Sequence, residues 1–183
     1  MKKITIVLGL MFSMLAAFYF IDPCFAQDGA TKEECVAKVE EAAKLVKKIG
    51  LQPALEKLMD KSGPYKWKDS YVFCMEEGMG KLLAHPAARF IGFPMKNYKD
   101  ADGKQPYAKV IKKIKTKKKG WIRYHDRLPG ANTPKLKITY YLKIPGEKAI
   151  LCAGYYDLNN DGFFDIHGII SAVQKSGHLL KKG

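Results

Sequence analysis

Hydrophobic residues recur at helical spacing after Thr31 and predict the first long element of the chain. Thr31 and Glu34 form a capping box, the pattern that opens a helix. Lysine and glutamate separate the apolar positions, which are Val36, Val39, Ala43, Val46 and Ile49. Gly50 and Pro53 interrupt this pattern, and a second short helix is expected to end near residues 61–64. The sequence therefore predicts one long kinked helix or two joined helices.

Short apolar runs replace the helical pattern after residue 65 and predict β-strands. Residues 70–75 and 81–85 flank a turn that contains glycine, which indicates an antiparallel hairpin. Pro86 ends the second strand because proline cannot donate a hydrogen bond to the strand ladder. Residues 86–103 contain several prolines and glycines and predict an irregular crossing loop.

An amphipathic helix and three more strands complete the predicted fold. Residues 107–119 place apolar side chains on one helical face and lysines on the other, and Gly120 is expected to end this helix. Strands are predicted at residues 121–125, 137–142 and 149–156. This order of elements predicts an α+β domain, in which a long N-terminal helix packs on an antiparallel sheet of about five strands.

The N-terminal residues have the pattern of an export signal. Two lysines precede an uncharged and mostly apolar stretch, residues 4–21. Cys24 and Ala26 are small residues that suit cleavage by signal peptidase after Ala26. We therefore expect residues 1–26 to be a cleaved signal peptide, with an uncleaved membrane anchor as the alternative. No later segment approaches the roughly 20 apolar residues of a membrane span, so the expected location is the periplasm, in soluble form.

Charge and export together narrow the choice of partner. The chain of 183 residues has 32 lysines and arginines against 18 aspartates and glutamates, a net charge of +14. Such an excess of positive charge indicates a negatively charged binding partner, which could be nucleic acid, an anionic membrane or a small anionic ligand. Export removes nucleic acid as a natural partner. The densest charge, in residues 112–119, is expected to be a solvated helix face that could also attract anionic lipid headgroups or an acidic receptor surface.

The cysteines and the catalytic motifs argue against an enzyme. Cys35, Cys74 and Cys152 follow the signal segment and allow at most one internal disulfide. Apolar neighbours favour buried thiols at Cys74 and Cys152, whereas a bridge from Cys35 to either stays open. No hydrolase, metalloprotease or nucleotide-binding fingerprint occurs. A thiol–imidazole pair between Cys74 and His85 is the remaining catalytic alternative, and we expect that the protein is not an enzyme.

Five short motifs occur in a characteristic order between residues 71 and 157. They are Tyr71-Val72-Phe73 with Leu83-Ala84-His85-Pro86, Lys99-Asp100-Ala101-Asp102-Gly103-Lys104, Gly120-Trp121-Ile122-Arg123-Tyr124, Lys137-Ile138-Thr139-Tyr140 and Ala153-Gly154-Tyr155-Tyr156-Asp157. Their order and spacing resemble the single Cache domain of type 2, an extracytoplasmic small-molecule sensing domain with a PAS-like antiparallel sheet. The resemblance assigns residues 27–157 to this domain and leaves residues 158–183 as a C-terminal extension.

The resemblance also implies a ligand and a partner. Cache domains bind a small organic molecule, often a short carboxylate, over the sheet, and commonly belong to chemoreceptors or histidine kinases. Because no second membrane helix or signalling module follows Asp157, this chain is similar to a free-standing exported version. We expect it to act through a membrane receptor or histidine kinase in signalling or chemotaxis.

A carboxylate ligand needs a positive charge, hydrogen-bond donors and an apolar wall. The resemblance implies Lys137 as the first cation, and strand alternation places Thr139 on the same face. Arg123 is the second cation, because its fork can bind a carboxylate through two hydrogen bonds. His85 adds a donor. The aromatic wall is predicted from Trp121, Tyr71, Tyr140 and Tyr124, although plain core packing also explains such residues.

The segment after the last strand resembles part of a calcium-binding loop. Asp157, Asn159, Asp161 and Asp165 occupy positions 1, 3, 5 and 9 of an EF-hand pattern, with Gly162 at position 6. Position 12 is Gly168 instead of the bidentate glutamate. Weakly bound calcium is therefore the one cofactor that the sequence indicates. The alternative is that this segment is a polar turn before a short helix, residues 166–175.

Two functions follow from these patterns. The first is an exported sensory domain that recognises a small organic acid. The alternative is a structural or interaction protein that uses its basic helix face, with weak calcium binding at residues 157–168.

Overall fold

A computed structural model describes residues 29–127 and 133–157. Two joined helices open the domain: α1 is Lys32–Ile49 and α2 is Leu51–Met59. Both lie where the apolar periodicity predicts them. Their apolar faces are buried against the sheet, so packing as well as helix propensity stabilises them.

The ends of α1 show why the two helices form and where they separate. The Thr31 hydroxyl accepts a hydrogen bond from the Glu34 amide, and the Glu34 carboxylate accepts one from the Thr31 amide, so the predicted capping box is confirmed. Gly50 lies between the helices with a φ of +86°. Glycine adopts this conformation without the steric penalty of a Cβ, which explains the break between α1 and α2.

The strands form one antiparallel sheet in the two described ranges. They are β1 (Lys66–Trp67), β2 (Ser70–Glu76), β3 (Leu82–Ala84), β4 (Lys119–Arg127), β5 (Pro134–Lys143) and β6 (Ala149–Tyr156). Hydrogen-bonded neighbours run in the order β1–β2–β6–β5–β4, and β3 pairs with β2. The predicted α+β class is confirmed, and the short β1 makes six strands where about five were expected.

The predicted amphipathic helix is shorter than its pattern. Helix α3 is Pro106–Lys113, and the lysine run continues through a turn into β4. Gly120, expected to end the helix, lies inside β4 opposite Tyr141. The amide of Lys143 donates to the carbonyl of Lys118 at 2.7 Å, so pairing with β5 begins while the lysine run is still in progress. The expectation of a single lysine-covered helix face over residues 107–119 is therefore wrong.

The irregular crossing loop contains two short 3₁₀ turns, Ala88–Phe90 and Met95–Asn97. Together with α3 this loop covers one face of the sheet, which we call the loop face. Helices α1 and α2 cover the opposite face, the helix face. Alternate residues of β2, β4, β5 and β6 belong to the two apolar layers, as the two-residue period of a strand requires.

Two further expectations, on disulfides and on membrane-spanning helices, can be checked in the described residues. Cys35, Cys74 and Cys152 are buried free thiols. Burial raises the pKa of Cys35 and of Cys74 to about 12, so both thiols stay protonated. Within residues 29–127 and 133–157, no helix has the length and apolar character needed to cross a bilayer.

Candidate functional site

Lys137 places a buried cation on the loop face of the sheet. The residue is 6% exposed, and the strand register puts Tyr124 opposite it on β4 and Tyr156 opposite it on β6. The Lys137 ammonium donates to the Tyr156 hydroxyl at 3.3 Å and lies 4.8 Å from the centre of that ring. The centre of the Tyr71 ring is 5.4 Å away. These contacts partly replace the water that burial removes from the ammonium.

Asp126 supplies the counter-charge to Lys137. The Asp126 Oδ2 is 3.4 Å from the ammonium nitrogen, and the Tyr98 hydroxyl donates to Oδ1 at 2.9 Å. Burial disfavours the charged ammonium, but the surrounding phenol oxygens and the Asp126 carboxylate outweigh this effect and hold the pKa of Lys137 above its usual value. The site therefore contains a fixed positive charge at neutral pH.

A network of neutral hydroxyl groups continues from this cation. The hydroxyls of Tyr107, from α3, and Tyr124 are hydrogen-bonded to each other, and Tyr124 also bonds the Thr139 hydroxyl at 3.1 Å. Burial raises the pKa of Tyr124 to about 12 and that of Tyr107 well above its ordinary value. Both phenols therefore keep their protons and can donate to an anion near Lys137.

His85 extends the cluster where β3 ends. Its Nδ1 accepts a hydrogen bond from the Ala87 amide at 3.0 Å, and its Nε2 lies 3.1 Å from the Tyr71 hydroxyl. An accepting Nδ1 leaves the proton of the neutral ring on Nε2, so His85 can donate to Tyr71. Burial lowers the pKa of His85, and the positive charges of Lys137 and Arg89 lower it further. The imidazole is therefore neutral near pH 7.

A cleft of about 400 Å³ opens next to Asp126. It lies between the loop at residues 98–101 and the ends of β4 and β5, and its walls are Tyr98, Lys99, Asp100, Ala101, His125, Asp126, Arg127 and Pro134. The Ala101 amide donates to the His125 carbonyl at 3.0 Å and holds the loop against β4. Tyr98 and Asp126 belong both to the cleft wall and to the Lys137 cluster, so the cleft reaches the carboxylate that pairs with the cation.

The structure brings some of the predicted ligand residues together and separates others. Lys137, His85, Tyr71 and Tyr124 meet on the loop face. Trp121 and Tyr140 lie on the helix face, where their ring centres are 5.0 Å apart and pack under α1. Arg123 has the same orientation as Trp121 and is exposed. One pocket therefore does not combine all of these residues, because strand alternation sends Trp121, Arg123 and Tyr140 to the other side of the sheet.

Three residues of the cluster were not predicted as site residues: Asp126, Tyr98 and Tyr156. Asp126 lies two positions after Tyr124 and so has the same orientation, but the predicted strand ended at His125. The pairing of Tyr156 with Lys137 depends on the register between β5 and β6, for which a single sequence carries no local signal.

The catalytic alternative does not agree with the geometry. Cys74 lies in the apolar layer of the helix face, whereas His85 packs against Tyr71 and Phe90. With its pKa raised to about 12, the Cys74 thiol is not activated as a nucleophile.

Only the first of the predicted calcium ligands can be placed. The Asp157 amide donates to the Leu136 carbonyl at 2.9 Å, at the end of β6. Asn159, Asp161 and Asp165 lie outside the described residues. In residues 29–127 and 133–157, no group of three or more histidine, cysteine, aspartate or glutamate side chains is placed to hold a metal ion.

Three solved structures have a similar fold. A structure described as "Structural basis for carboxylic acid recognition by a Cache chemosensory domain" has a TM-score of 0.58 and 21% identity, covering 68% of this chain and 92% of its own. A periplasmic sensor domain of a chemotaxis protein has a TM-score of 0.53 and 19% identity, covering 68% and 89%. A methyl-accepting chemotaxis protein from Vibrio parahaemolyticus has a TM-score of 0.59 and 20% identity, covering 71% and 90%.

The family comparison agrees with these folds. A search of curated proteins gives no match. The family model described as "Cache domain" matches residues 33–160, which is more than half of the chain. Members of this family are extracytoplasmic sensor domains that bind ligands rather than catalyse reactions. This chain therefore belongs to the Cache family, in the single, type 2 form.

Proposed function

We propose that this chain is a periplasmic sensory domain that binds a short organic acid at Lys137. One observation carries the proposal: the buried Lys137 ammonium pairs with the Asp126 carboxylate, and Asp126 forms part of the wall of a cleft of about 400 Å³. A ligand carboxylate matches this site in charge, because Lys137 supplies the cation and the neutral phenols supply hydrogen-bond donors. One structure with the same fold is described as a Cache domain that recognises a carboxylic acid, which supports the same ligand class.

The walls of the cleft limit the size of the ligand. Its apolar groups are the Tyr98 ring, Ala101 and Pro134, and the other lining residues are charged or polar. These few apolar groups can face a short hydrocarbon tail, as the walls of ligand pockets commonly do. A small acid of a few carbon atoms therefore fits the site better than a long-chain or bulky one.

Binding would act by shifting populations and not by making bonds. An acid that binds one arrangement of the loop face better than another favours that arrangement, and a partner protein can recognise the difference. We propose that this partner is a membrane receptor or a histidine kinase. We also propose that the chain reaches this partner after export and after cleavage of the signal peptide between Ala26 and Gln27.

A thermal-shift screen of short carboxylates and amino acids tests the site, with Lys137→Met as the variant. An acid at about 100 times its Kd stabilises a folded protein by about 2.7 kcal/mol, which is a clear rise in Tm. Loss of a charged hydrogen-bond donor should weaken binding at least about tenfold. Lys148→Met removes one charge at an exposed position before β6 and should bind like the wild type. Equal stabilisation of the Lys137→Met variant, or no stabilisation by any acid, would contradict the proposal.

A second candidate function rests on the basic surface at α3, which would bind an anionic membrane. Seven exposed lysines occur without an intervening acid: Lys109, Lys112, Lys113, Lys115, Lys117, Lys118 and Lys119. Met79, in the turn between β2 and β3, and Phe93, in the crossing loop, are both 40% exposed. The β2–β3 turn lies close to α3, because a Cβ on Gly80 would come within 2.9 Å of the Ile111 side chain. Exposed apolar residues beside lysines are typical of interfacial membrane binding.

Vesicle sedimentation distinguishes this candidate from the first. Phosphatidylglycerol vesicles should bind the protein at low salt and release it at high salt, whereas phosphatidylcholine vesicles should not bind it. Each lysine near such a surface contributes about 1 kcal/mol, so a Lys112→Gln, Lys115→Gln double variant should bind about tenfold more weakly or worse. The matched double variant on α1, Lys44→Gln with Lys48→Gln, should bind nearly as the wild type does. If anionic vesicles do not bind the wild type, this candidate is removed.

A further inference from the structure

We infer that the Asp126 carboxylate is an internal substitute for the ligand, which an incoming acid must displace from Lys137. In the free protein Lys137 is then already paired with Asp126. The strength of this pair sets how much acid is needed to displace Asp126. This inference rests on the proposed function, because it describes the regulation of the same site.

The first argument is chemical identity. Asp126 brings to Lys137 the same group that an acid ligand would bring, and its Oδ2 lies 3.4 Å from the ammonium nitrogen. Its other oxygen, Oδ1, accepts from the Tyr98 hydroxyl and from the Arg127 amide, each at 2.9 Å. A second carboxylate could not share the cation without bringing two negative charges together, which is unfavourable in a partly buried site.

The second argument concerns which of the two partners can move. The Asp126 side chain is 28% exposed and borders the cleft, whereas the Lys137 side chain is 7% exposed. A carboxylate that turns into the cleft regains water, but an ammonium beneath the sheet surface has no comparable route. A contact of 3.4 Å is also longer than the usual 2.7–2.9 Å of a charge-assisted hydrogen bond, so less energy is lost when it opens. Exchange should therefore proceed by departure of Asp126.

The third argument is the connection to the surface. Tyr98, which donates to Asp126, begins the loop that is held on β4 by the hydrogen bond from Ala101 to His125. If Asp126 leaves Lys137, the Tyr98 hydroxyl loses or changes its acceptor. The loop would then respond, through Asp126, to occupancy of the cation, which gives a partner protein an external feature to recognise.

The test compares Asp126→Asn with the wild type in calorimetric titrations with acetate, propionate, lactate and succinate. Asparagine keeps the shape and an acceptor oxygen for Tyr98, but it removes the competing charge. Since the apparent Kd rises as the competent fraction falls, we expect the variant to bind the preferred acid at least tenfold more tightly. Glu56→Gln makes the same change of charge at an exposed position of α2 and should leave the affinity unchanged.

Each outcome separates the two claims. If the wild type binds an acid and the Asp126→Asn variant binds it equally or more weakly, Asp126 is not a competitor and the inference fails while the proposed function stands. If neither protein binds any of the four acids, the proposed function fails and the inference fails with it. If only the variant binds, both are supported.

A second variant protects the test against misfolding, since Asp126→Asn leaves a buried ammonium without its carboxylate. Tyr98→Phe removes one hydrogen bond that holds Asp126 and changes no charge. It should tighten acid binding by a few-fold, in the same direction as Asp126→Asn. Weaker binding by a folded Tyr98→Phe protein would overturn the inference without reference to the first variant.

Discussion

A lysine that is both buried and charged determines the chemistry of the site at the scale of single residues. Lys137 keeps its proton because phenol oxygens and one carboxylate surround it, and the same burial keeps Tyr107 and Tyr124 neutral. A cation among neutral donors is suited to an anion and offers little to a second cation. The residue types on the loop face therefore favour an acid as ligand more strongly than the net charge of the whole chain does.

The histidine of the cluster gives a pH dependence at the same scale. The pKa of His85 in the folded protein lies below its ordinary value of 6.5, so the unfolded chain takes up a proton first as the pH falls. The stability contributed by neutral His85 is therefore present above about pH 6.5 and declines as the pH falls below it. Urea unfolding at pH 7.5, 6.5 and 5.5 should show this decline in the wild type and a weaker one in His85→Gln.

A matched control separates this effect from the general loss of an imidazole. The His125 ring bonds the Asp102 carboxylate at the surface, on the opposite side of β4 from Tyr124. His125→Gln should keep the decline of the wild type between pH 6.5 and 5.5. A decline of the same size in the wild type and in His85→Gln would show that His85 is not its source.

Individual site residues could be predicted from the sequence only as far as strand alternation and strand length allowed. The two-residue period places Lys137 and Thr139 together and also places Tyr140 on the other face, where the structure has it. Tyr140 could therefore have been left out of the pocket by the same rule. Asp126 could not be predicted for a different reason. A strand that is predicted to end at His125 excludes the next position on the loop face, which is Asp126.

At the scale of elements, the start of α1 carries the clearest local signal in the chain. The capping box satisfies two backbone groups that would otherwise lack intrahelical partners, and it sets the first turn of an 18-residue helix that covers one face of the sheet. Local hydrogen bonding and the apolar period agree here, which explains why the position of α1 could be predicted.

The cap makes a measurable contribution to stability. Thr31→Ala removes the hydroxyl that accepts from the Glu34 amide, and it should lower the free energy of unfolding by about 1 kcal/mol. Thr31→Ser keeps the acceptor oxygen and should restore most of the loss. Urea denaturation at fixed pH measures both differences. Equal stability of the Thr31→Ala variant and the wild type would mean that water replaces the cap without cost.

Helix α3 shows where local patterns fail. The lysine-rich residues 107–119 have a helical period, yet only the part up to Lys113 is helical, because β4 begins at Lys119 and pairs with β5 along its whole length. The competing interaction is between segments distant in sequence, and the amphipathic pattern contains no information about it. The two-residue strand β1 was missed for a related reason, since it is too short to show a period.

At the scale of the whole molecule, the family could be predicted while the arrangement of the sheet could not. Five motifs in order indicated the Cache fold, which the family match over residues 33–160 confirms. No local feature predicts that β6 lies between β2 and β5, although this order brings Tyr71, Lys137 and Tyr156 together. The site is therefore a product of topology, assembled from strands that are far apart along the chain.

The position of both tryptophans on one face of the sheet gives the protein an optical reporter. Its two tryptophans, Trp67 and Trp121, both pack against the apolar layer beneath the helices, whereas the surroundings of Lys137 are built from tyrosine. Tryptophan emission thus follows the seating of α1 and α2 on the sheet, on the side opposite the cation. A change in this emission during an acid titration would show that events at the cation are transmitted through the sheet to the helices.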